Sequence, residues 1–427
     1  MNASRTRWLV LALVVLGFIL RLGLALKLGI HEPPGPGSDS QEYDTYAWNV
    51  AQGRGFRGMS PDVTDRDHLT AYHPPGTSLV WAGLYGVVGH RHDAVRVLHG
   101  LVGAATIALV YLIGCQTFGR PVGLLAAAGF AVWPFSLFYS AELLSEPLGT
   151  FWLLAYVAAA LEFAARPGAV RAVVAGLLLG LALLTRGNVV LLMPLTLVWA
   201  VVQFRRRPRA LAWALAIPMV ALATVAPWTI RNYRVFGAFV PLSTGAGDVL
   251  LGSNNRLVVT DPDYYGYWVF PDELPEYREP LKAPNDELVR DRLESKLAVE
   301  WVQNNQDQWW YLLHSKFRRL WTPFLQPRSP RLHRIGTLVA WGPVLVLFAL
   351  AFVPTGIAWL RRGHPGWLIH LVILSVVLNA LVFWGSSRFR YPIEGLCLIL
   401  AGAAVVGLVQ WVGNRRPAPA VSSSAAA

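Results

Sequence analysis

Apolar stretches long enough to cross a bilayer recur along this chain, and no other feature restricts its fold as severely. A backbone in hydrocarbon has no water to bond to, so each stretch must close its hydrogen bonds within itself as an α-helix. A span takes roughly 20 mostly apolar residues. By that measure about ten are placed, at 8–26, 94–115, 121–139, 143–163, 170–186, 188–204, 210–229, 336–360, 366–384 and 391–412. The expected fold class is an all-α polytopic membrane protein with outer-face juxtamembrane helices and a small extracytoplasmic cap. Composition agrees, because 54% hydrophobic and only 15% charged residues are too apolar a mixture to cover a soluble surface.

The arginines between the spans set an orientation. With the N-terminus in the cytoplasm, Arg5 and Arg7, Arg120, Arg166 and Arg171, the "RRRPR" run at 205–209, Arg361 and Arg362, and Arg415 and Arg416 all face inward, as the positive-inside rule requires. The expected location is the plasma (inner) membrane, multi-pass, with two long loops outside. The chain then divides into an N-terminal membrane module 1–229 with the first outer loop 27–93, a loop or cap at 230–335, C-terminal transmembrane helices at 336–413 and a disordered tail at 414–427. The net charge of +12 lies mostly in these inner clusters, so it speaks for membrane lipids and against nucleic acid as a partner.

Some chemistries are disfavoured. The two cysteines, Cys115 and Cys397, lie in or beside apolar segments and support neither a disulfide framework nor a thiolate zinc site. His68 with His73, and His90 with His92, show no Glu or Cys companions at metal-site spacing, so neither metal nor cofactor is expected. The glycine-rich "GAGDVLLGSN" at 245–254 lies in an outer loop and implies no cytoplasmic nucleotide. The N-terminal stretch is basic and then apolar, without a convincing cleavage site, and is read as a retained first helix. Arg21 near its outer end is expected to snorkel or to pair with an interior acid.

Directly after that helix comes "GSDSQEYDTYAWNVAQGRGF", residues 37–56. Pro33, Pro34 and Pro36 stop the first helix, and Ser38 with Gln41, or Asp39 with Glu42, gives a capping pattern for a new one. Asp39 is therefore either an N-cap or an acid held at the mouth of the bundle. Tyr43, Ala47 and Val50 share its helical face, which would lie against the membrane, while Glu42 and Asp44 point to solvent. Glu142 and Glu146 stand one turn apart at the next outward turn, and an ionisable group entering a bilayer is costly unless it pairs or works; Glu146, before Pro147, could also be a capping acid. Arg96, Arg186, Arg231, Arg388 and Arg390 mark the outer rim. Guanidinium forks match phosphate oxygens, so they are candidates for an anionic headgroup, with ordinary phospholipid or an acid such as Glu394 as the alternative partners.

Two further outer stretches are expected to be helical. "PPGTSLVWAGLYGVVG" at 74–89 is apolar but too short to span. Residues 286–321 carry Leu293, Leu297, Trp301, Trp309, Leu313, Phe317 and Leu320 near helical spacing, and their end, with Lys316, Arg318, Arg319 and Trp321, suits a membrane surface.

With these residues in view, the chain resembles the integral-membrane glycosyltransferases of the C superfamily, in particular the bacterial group akin to protein O-mannosyltransferases and aminoarabinose-lipid transferases. The resemblance rests on Asp39 with Tyr43, Ala47 and Gly53, on "YHPPGTSLVW" at 72–81, "LLSEPL" at 143–148, "APWTIRNYRVFGAFVPLSTGAG" at 226–247 and "RFRYPIEG" at 388–395. It implies transfer of a sugar from a polyprenyl-phosphate-sugar donor to a hydroxyl-bearing envelope acceptor (lipid, glycan or protein) at the outer face. It also implies Asp39 as general base, with Glu146 positioning the acceptor or tuning Asp39. Tyr43, Glu142 and the rim arginines are the remaining candidate substrate contacts. Many relatives carry two adjacent acids in the first loop, whereas Asp39 is followed by Ser40, which argues against a metal there. The alternatives are a transporter or flippase of a lipid-linked glycan, and an assembly subunit of an envelope complex.

Overall fold

The computed structural model of the chain describes residues 3–60, 67–282, 285–323 and 331–414, and among them the regular structure is helical. The membrane module begins with α1 (Ala3–Leu28), followed by the short α2 (Asp39–Ala51) and α3 (Gly76–Val88). It continues with α4 (His92–Phe118), α5 (Arg120–Ala131), α6 (Pro134–Ala141), α7 (Glu146–Ala165), α8 (Ala169–Thr185), α9 (Leu192–Phe204) and α10 (Pro208–Phe236). Then come α11 (Ala246–Ser253), α12 (Leu257–Thr260), α13 (Pro275–Lys282), α14 (Glu287–Asn304) and α15 (Trp309–Trp321), before α16 (Arg331–Arg362), α17 (Leu368–Val382) and α18 (Ser387–Asn414) return to the bundle.

Eight helical stretches among the described residues are long and apolar enough to cross a membrane, and they cover eight of the ten expected spans. The other two are modified. The expected span 121–139 is the pair α5 and α6, bent by 49°, and Pro134, which lacks the N–H a continuing helix would use, takes the first position of the new helix α6. The expected span 170–186 is α8, only 17 residues long. Pro218 and Pro227 do not break α10, which runs 29 residues and continues past the expected end at 229 to Phe236. The tail from 415 onward, with Arg415 and Arg416, lies outside the described residues.

Arg21 meets neither expectation placed on it. Its side chain is buried and donates to the carbonyls of Gly17 at 2.8 Å and Ala131 at 3.3 Å and to Ser136 Oγ at 2.6 Å. The break between α5 and α6 frees carbonyls that no lipid could satisfy, and a guanidinium supplies the missing donors. Close packing elsewhere depends on small residues: a Cβ on Gly176 or Gly180 of α8 would come within 2.6 Å of α10 backbone or 2.5 Å of Thr224, so glycine lets these helices touch.

Above the bundle lies a layer made by both long loops. The stripe Tyr43 and Ala47 of α2 packs inward on Trp81, Ala82 and Tyr85 of α3, Val95 of α4 and Leu148 of α7; it does not turn outward to lipid. Buried Glu287, at the start of α14, stitches the loops together by accepting from Thr70 Oγ1 at 2.7 Å and the Ala71 amide at 2.9 Å, and from Thr244 Oγ1. The helix expected over 286–321 is two helices. Asp286 caps the first, and Asn305 ends it by turning its side chain back to the Trp301 carbonyl at 2.7 Å, within the polar run "QNNQDQ" that offers no apolar face.

On α15 the outward face is apolar, with Trp310, Leu313 and Phe317 exposed. Lys316 and Arg319, expected at the surface, turn inward instead: Lys316 bonds Asn254 Oδ1 at 2.7 Å and Arg319 the Tyr265 carbonyl at 3.0 Å.

The two ends of the bundle differ in charge. At one end, Arg171 pairs with Glu162 at 3.6 Å and Gln203 bonds the Gly363 carbonyl at 2.8 Å, so the turns holding Arg166, Arg171, the 205–209 run, Arg361 and Arg362 lie together. At the other, the N-terminal end of α2 meets the starts of α7 and α18 and the end of α8.

Candidate functional site

The site begins with the cap of α2. Ser38, not Asp39, is the N-cap: its hydroxyl accepts from the Gln41 amide at 3.4 Å, and Gln41 Oε1 accepts in turn from the Gly37 amide at 2.7 Å. Asp39 is thereby left as the first helical residue with its carboxylate free for other partners. Its side chain is 41% exposed, so water reaches it, yet it lies 2.7 Å from Arg388 Nη1 at the start of α18.

Arg388 also donates through Nε to Glu146 Oε1. The same oxygen is 2.7 Å from Arg186 Nη1, which reaches Ser145 Oγ at 3.1 Å as well. The order is therefore Asp39, Arg388, Glu146, Arg186, alternating in sign from the rim inward, and the Glu146 side chain is 0% exposed. Both acids are first residues of helices, where the positive end of the macrodipole favours an anion. Arg186 can lie across α7 because residue 149 is glycine; a Cβ there would meet the Arg186 Cδ at 2.5 Å. The second oxygen of Glu146 and the Nε of Arg186 are buried without a hydrogen-bond partner. Tyr43 joins the cluster through its hydroxyl, 3.3 Å from Ser145 Oγ.

The other expected site residues stand apart. Glu142 does not share a helical face with Glu146: α6 ends at Ala141, Glu142 is extended, and α7 starts only at Glu146. Arg96 spends its donors on the carbonyls of Ala141 at 2.9 Å and Ile30 and Glu32 at 2.8 Å. Arg231 holds the first loop through the Thr70 and Phe56 carbonyls at 2.7 and 2.8 Å. Arg390 is fully buried, 2.7 Å from Glu394 and from the Leu320 carbonyl, with its guanidinium 4.2 Å from the Trp341 ring. These three arginines brace loops and helices around the alternating row of charges.

Two acids contradict their expected exposure. Glu42 and Asp44 are buried, because each meets histidine: Glu42 Oε2 is 2.7 Å from His73 Nε2, and Asp44 lies 2.9 Å from His90 and 3.3 Å from His92. The histidines therefore do have carboxylate companions, brought from a different helix. Asp39, Glu42 and His73 form one group whose ligand atoms lie within 4.8 Å of one another, and Asp44, His90 and His92 form a second. His73 and Ser145 carried no assigned role from sequence, although both lie inside the motifs "YHPPGTSLVW" and "LLSEPL". Partners joined across the fold leave no mark at short spacing.

Electrostatics separate the rim acids. Burial raises the Asp39 carboxyl, but Arg388, His73 and Arg186 together outweigh it and hold it at about 2. Burial also raises Glu42, and its His73 partner offsets this only in part. For His73 the desolvation that lowers it is outweighed by Glu42 and Asp39, and the imidazole is raised. Glu42 and His73 thus hold a proton together more firmly than either would alone.

Residues 72–230 match the family model described as dolichyl-phosphate-mannose-protein mannosyltransferase, a stretch that includes His73, Glu146 and Arg186. No curated protein sequence matches the chain. Among solved structures, the oligosaccharyltransferase AglB from Archaeoglobus fulgidus, in complex with an inhibitory peptide and a dolichol-phosphate, superposes with a TM-score of 0.60 at 13% identity, over 98% of this chain and 53% of that one. Its apo form gives 0.59 at 13% identity, over 95% and 52%. ArnT from Cupriavidus metallidurans bound to undecaprenyl phosphate gives 0.43 at 15% identity, over 97% and 80%. The chain shares the AglB fold and spans about half the length of the AglB structures it matches. Family model and fold thus both agree with the C-superfamily resemblance.

Proposed function

We propose that this chain is a C-superfamily membrane glycosyltransferase, which moves a sugar from a polyprenyl-phosphate-linked donor to a hydroxyl-bearing envelope acceptor at the outer face. The observation that carries this reading is the row Asp39, Arg388, Glu146, Arg186, which ends in an accessible carboxylate beside a guanidinium. AglB, which has this fold, has been solved with dolichol-phosphate, and a lipid phosphate is the anion that Arg388 and Arg186 suit. Sidedness rests on charge: the arginine-rich turns lie at the opposite end of the bundle, and such turns face the cytoplasm.

In this mechanism the acceptor hydroxyl attacks the anomeric carbon, its proton passes to Asp39, and the bond from that carbon to the phosphate oxygen breaks. A carboxylate held near 2 is a weak base, so the ion pair has to be exchanged. Donor phosphate takes the guanidinium of Arg388, Asp39 loses the charge that holds it down, and its basicity rises as the acceptor arrives. The arginine then meets the charge that develops on the leaving phosphate. Glu146 is a positioning residue, since it holds Arg388 and Arg186 and is closed to solvent.

The test is comparative mass spectrometry of envelope lipids, glycans and proteins from cells with the wild-type chain, without it, and with Asp39→Asn. One sugar missing from the same acceptor in the last two supports the reading. Movement of labelled carrier across vesicles with no covalent product would favour a flippase instead.

A further inference from the structure

Asp44 lies five residues beyond Asp39 on the same helix, and the sugar-transfer mechanism makes no use of it. Around it gather His90, in the turn after α3, and His92, the first residue of α4. The Nε2 of His90 is 3.0 Å from Asp44 Oδ1 and 2.9 Å from Oδ2, and the Nε2 of His92 is 3.3 Å from Oδ2. Both imidazoles therefore present the same ring nitrogen to one carboxylate. We propose that Asp44, His90 and His92 form a binding site for a divalent transition-metal cation of the zinc type, which clasps α2 to the start of α4.

Three features support this. Ligands of a tetrahedral ion at about 2.0–2.1 Å lie roughly 3.3 Å from one another, close to the observed nitrogen-to-oxygen separations. Two imidazoles and one carboxylate suit zinc better than magnesium or calcium, which prefer oxygen alone. The ligands are also held from behind: Tyr85 donates to Asp44 Oδ1 at 2.6 Å, and Trp48 stacks on the His90 ring at 4.7 Å and 7°. Such supporting groups fix the orientation of first ligands. Asp44 is buried while His90 is 33% exposed at its side chain, which gives an ion an entry path and leaves the fourth position to water.

The second group, Asp39, Glu42 and His73, is a weaker candidate because Arg388 already occupies Asp39. A cation at Asp44 would act at a distance, by fixing α2 and so the direction in which Asp39 points.

The test uses the full-length protein in lipid nanodiscs, stripped with a chelator, titrated with Zn2+, desalted and assayed for bound metal by inductively coupled plasma mass spectrometry. Co2+ serves as a second probe through the visible bands of a tetrahedral site. The wild type is expected to retain one cation per chain. His90→Gln and His92→Gln should each weaken retention at least tenfold, and Tyr85→Phe by about tenfold. His73→Gln should leave retention unchanged. Zn2+ should raise the thermal unfolding midpoint of the wild type but not that of the His90 and His92 variants. Failure of the wild type to retain either metal, retention that survives both substitutions, or loss in His73→Gln alone would overturn the proposal. None of these outcomes depends on sugar transfer, so the site can fail while the glycosyltransferase reading stands, and the reverse.

Discussion

A salt bridge of 2.7 Å joins Asp39, the first residue of α2, to Arg388, at the start of the last helix. Because Arg388 also binds Glu146, an exposed acid at the rim is tied to a buried one inside the bundle. In the proposed mechanism a lipid phosphate takes the guanidinium from Asp39 while Glu146 keeps Arg388 in position.

Arg388→Gln removes the charge proposed to meet phosphate and the largest attractive influence on Asp39. Loss of one donor aimed at developing charge costs roughly 100-fold in turnover, and the expected result is a fall of that size in sugar transfer measured in membranes. Arg388→Lys keeps the charge but not the fork that spans Asp39 and Glu146, so it should recover only part of the rate.

Glu146→Gln leaves Arg186 buried beside a neutral amide. Breaking a buried ion pair from one side costs about 3–5 kcal/mol, so the variant should unfold at a clearly lower temperature in nanodiscs. Replacing Glu146 and Arg186 together should cost less than the sum of the two single changes, because neither partner is then stranded.

His73→Gln probes the pH dependence of the first loop. Burial alone would lower His73, but Glu42 and Asp39 raise it above its ordinary 6.5. A raised histidine contributes stability that is complete below pH 6.5 and is lost as pH rises through the folded value. Thermal stability of the wild type should therefore fall as pH rises above 6.5, and His73→Gln should flatten that fall.

Much of the fold was legible because its signals are local. Hydropathy placed eight crossing helices, and the 17-residue α8 and the bent pair α5 and α6 fell where the ninth and tenth were expected. The break at Pro134 was not foreseen, since the hydropathy of 121–139 is continuous and the donor that makes the bend tolerable, Arg21, comes from another helix. The site was legible only in part for the same reason. Asp39, Glu146, Arg186 and Arg388 were singled out by charge at the edge of an apolar span, and the structure brings these four together. Arg96, Arg231 and Arg390 carried the same mark, but they turn to backbone carbonyls and, for Arg390, to Glu394 as well. Glu42 and Asp44 looked solvent-facing because the histidines that bury them come from residues 73, 90 and 92, beyond the range of any helical periodicity.

The most direct measurement is sugar transfer by Asp39→Asn in isolated membranes, with loss of a radiolabelled prenyl-phosphate-linked sugar and its appearance in a covalent product followed together. Circular dichroism and protease protection report whether the variant is folded and inserted. The expected result is an inserted, helical protein with transfer nearly abolished; unaltered turnover by that variant would overturn the assignment of Asp39 as the base.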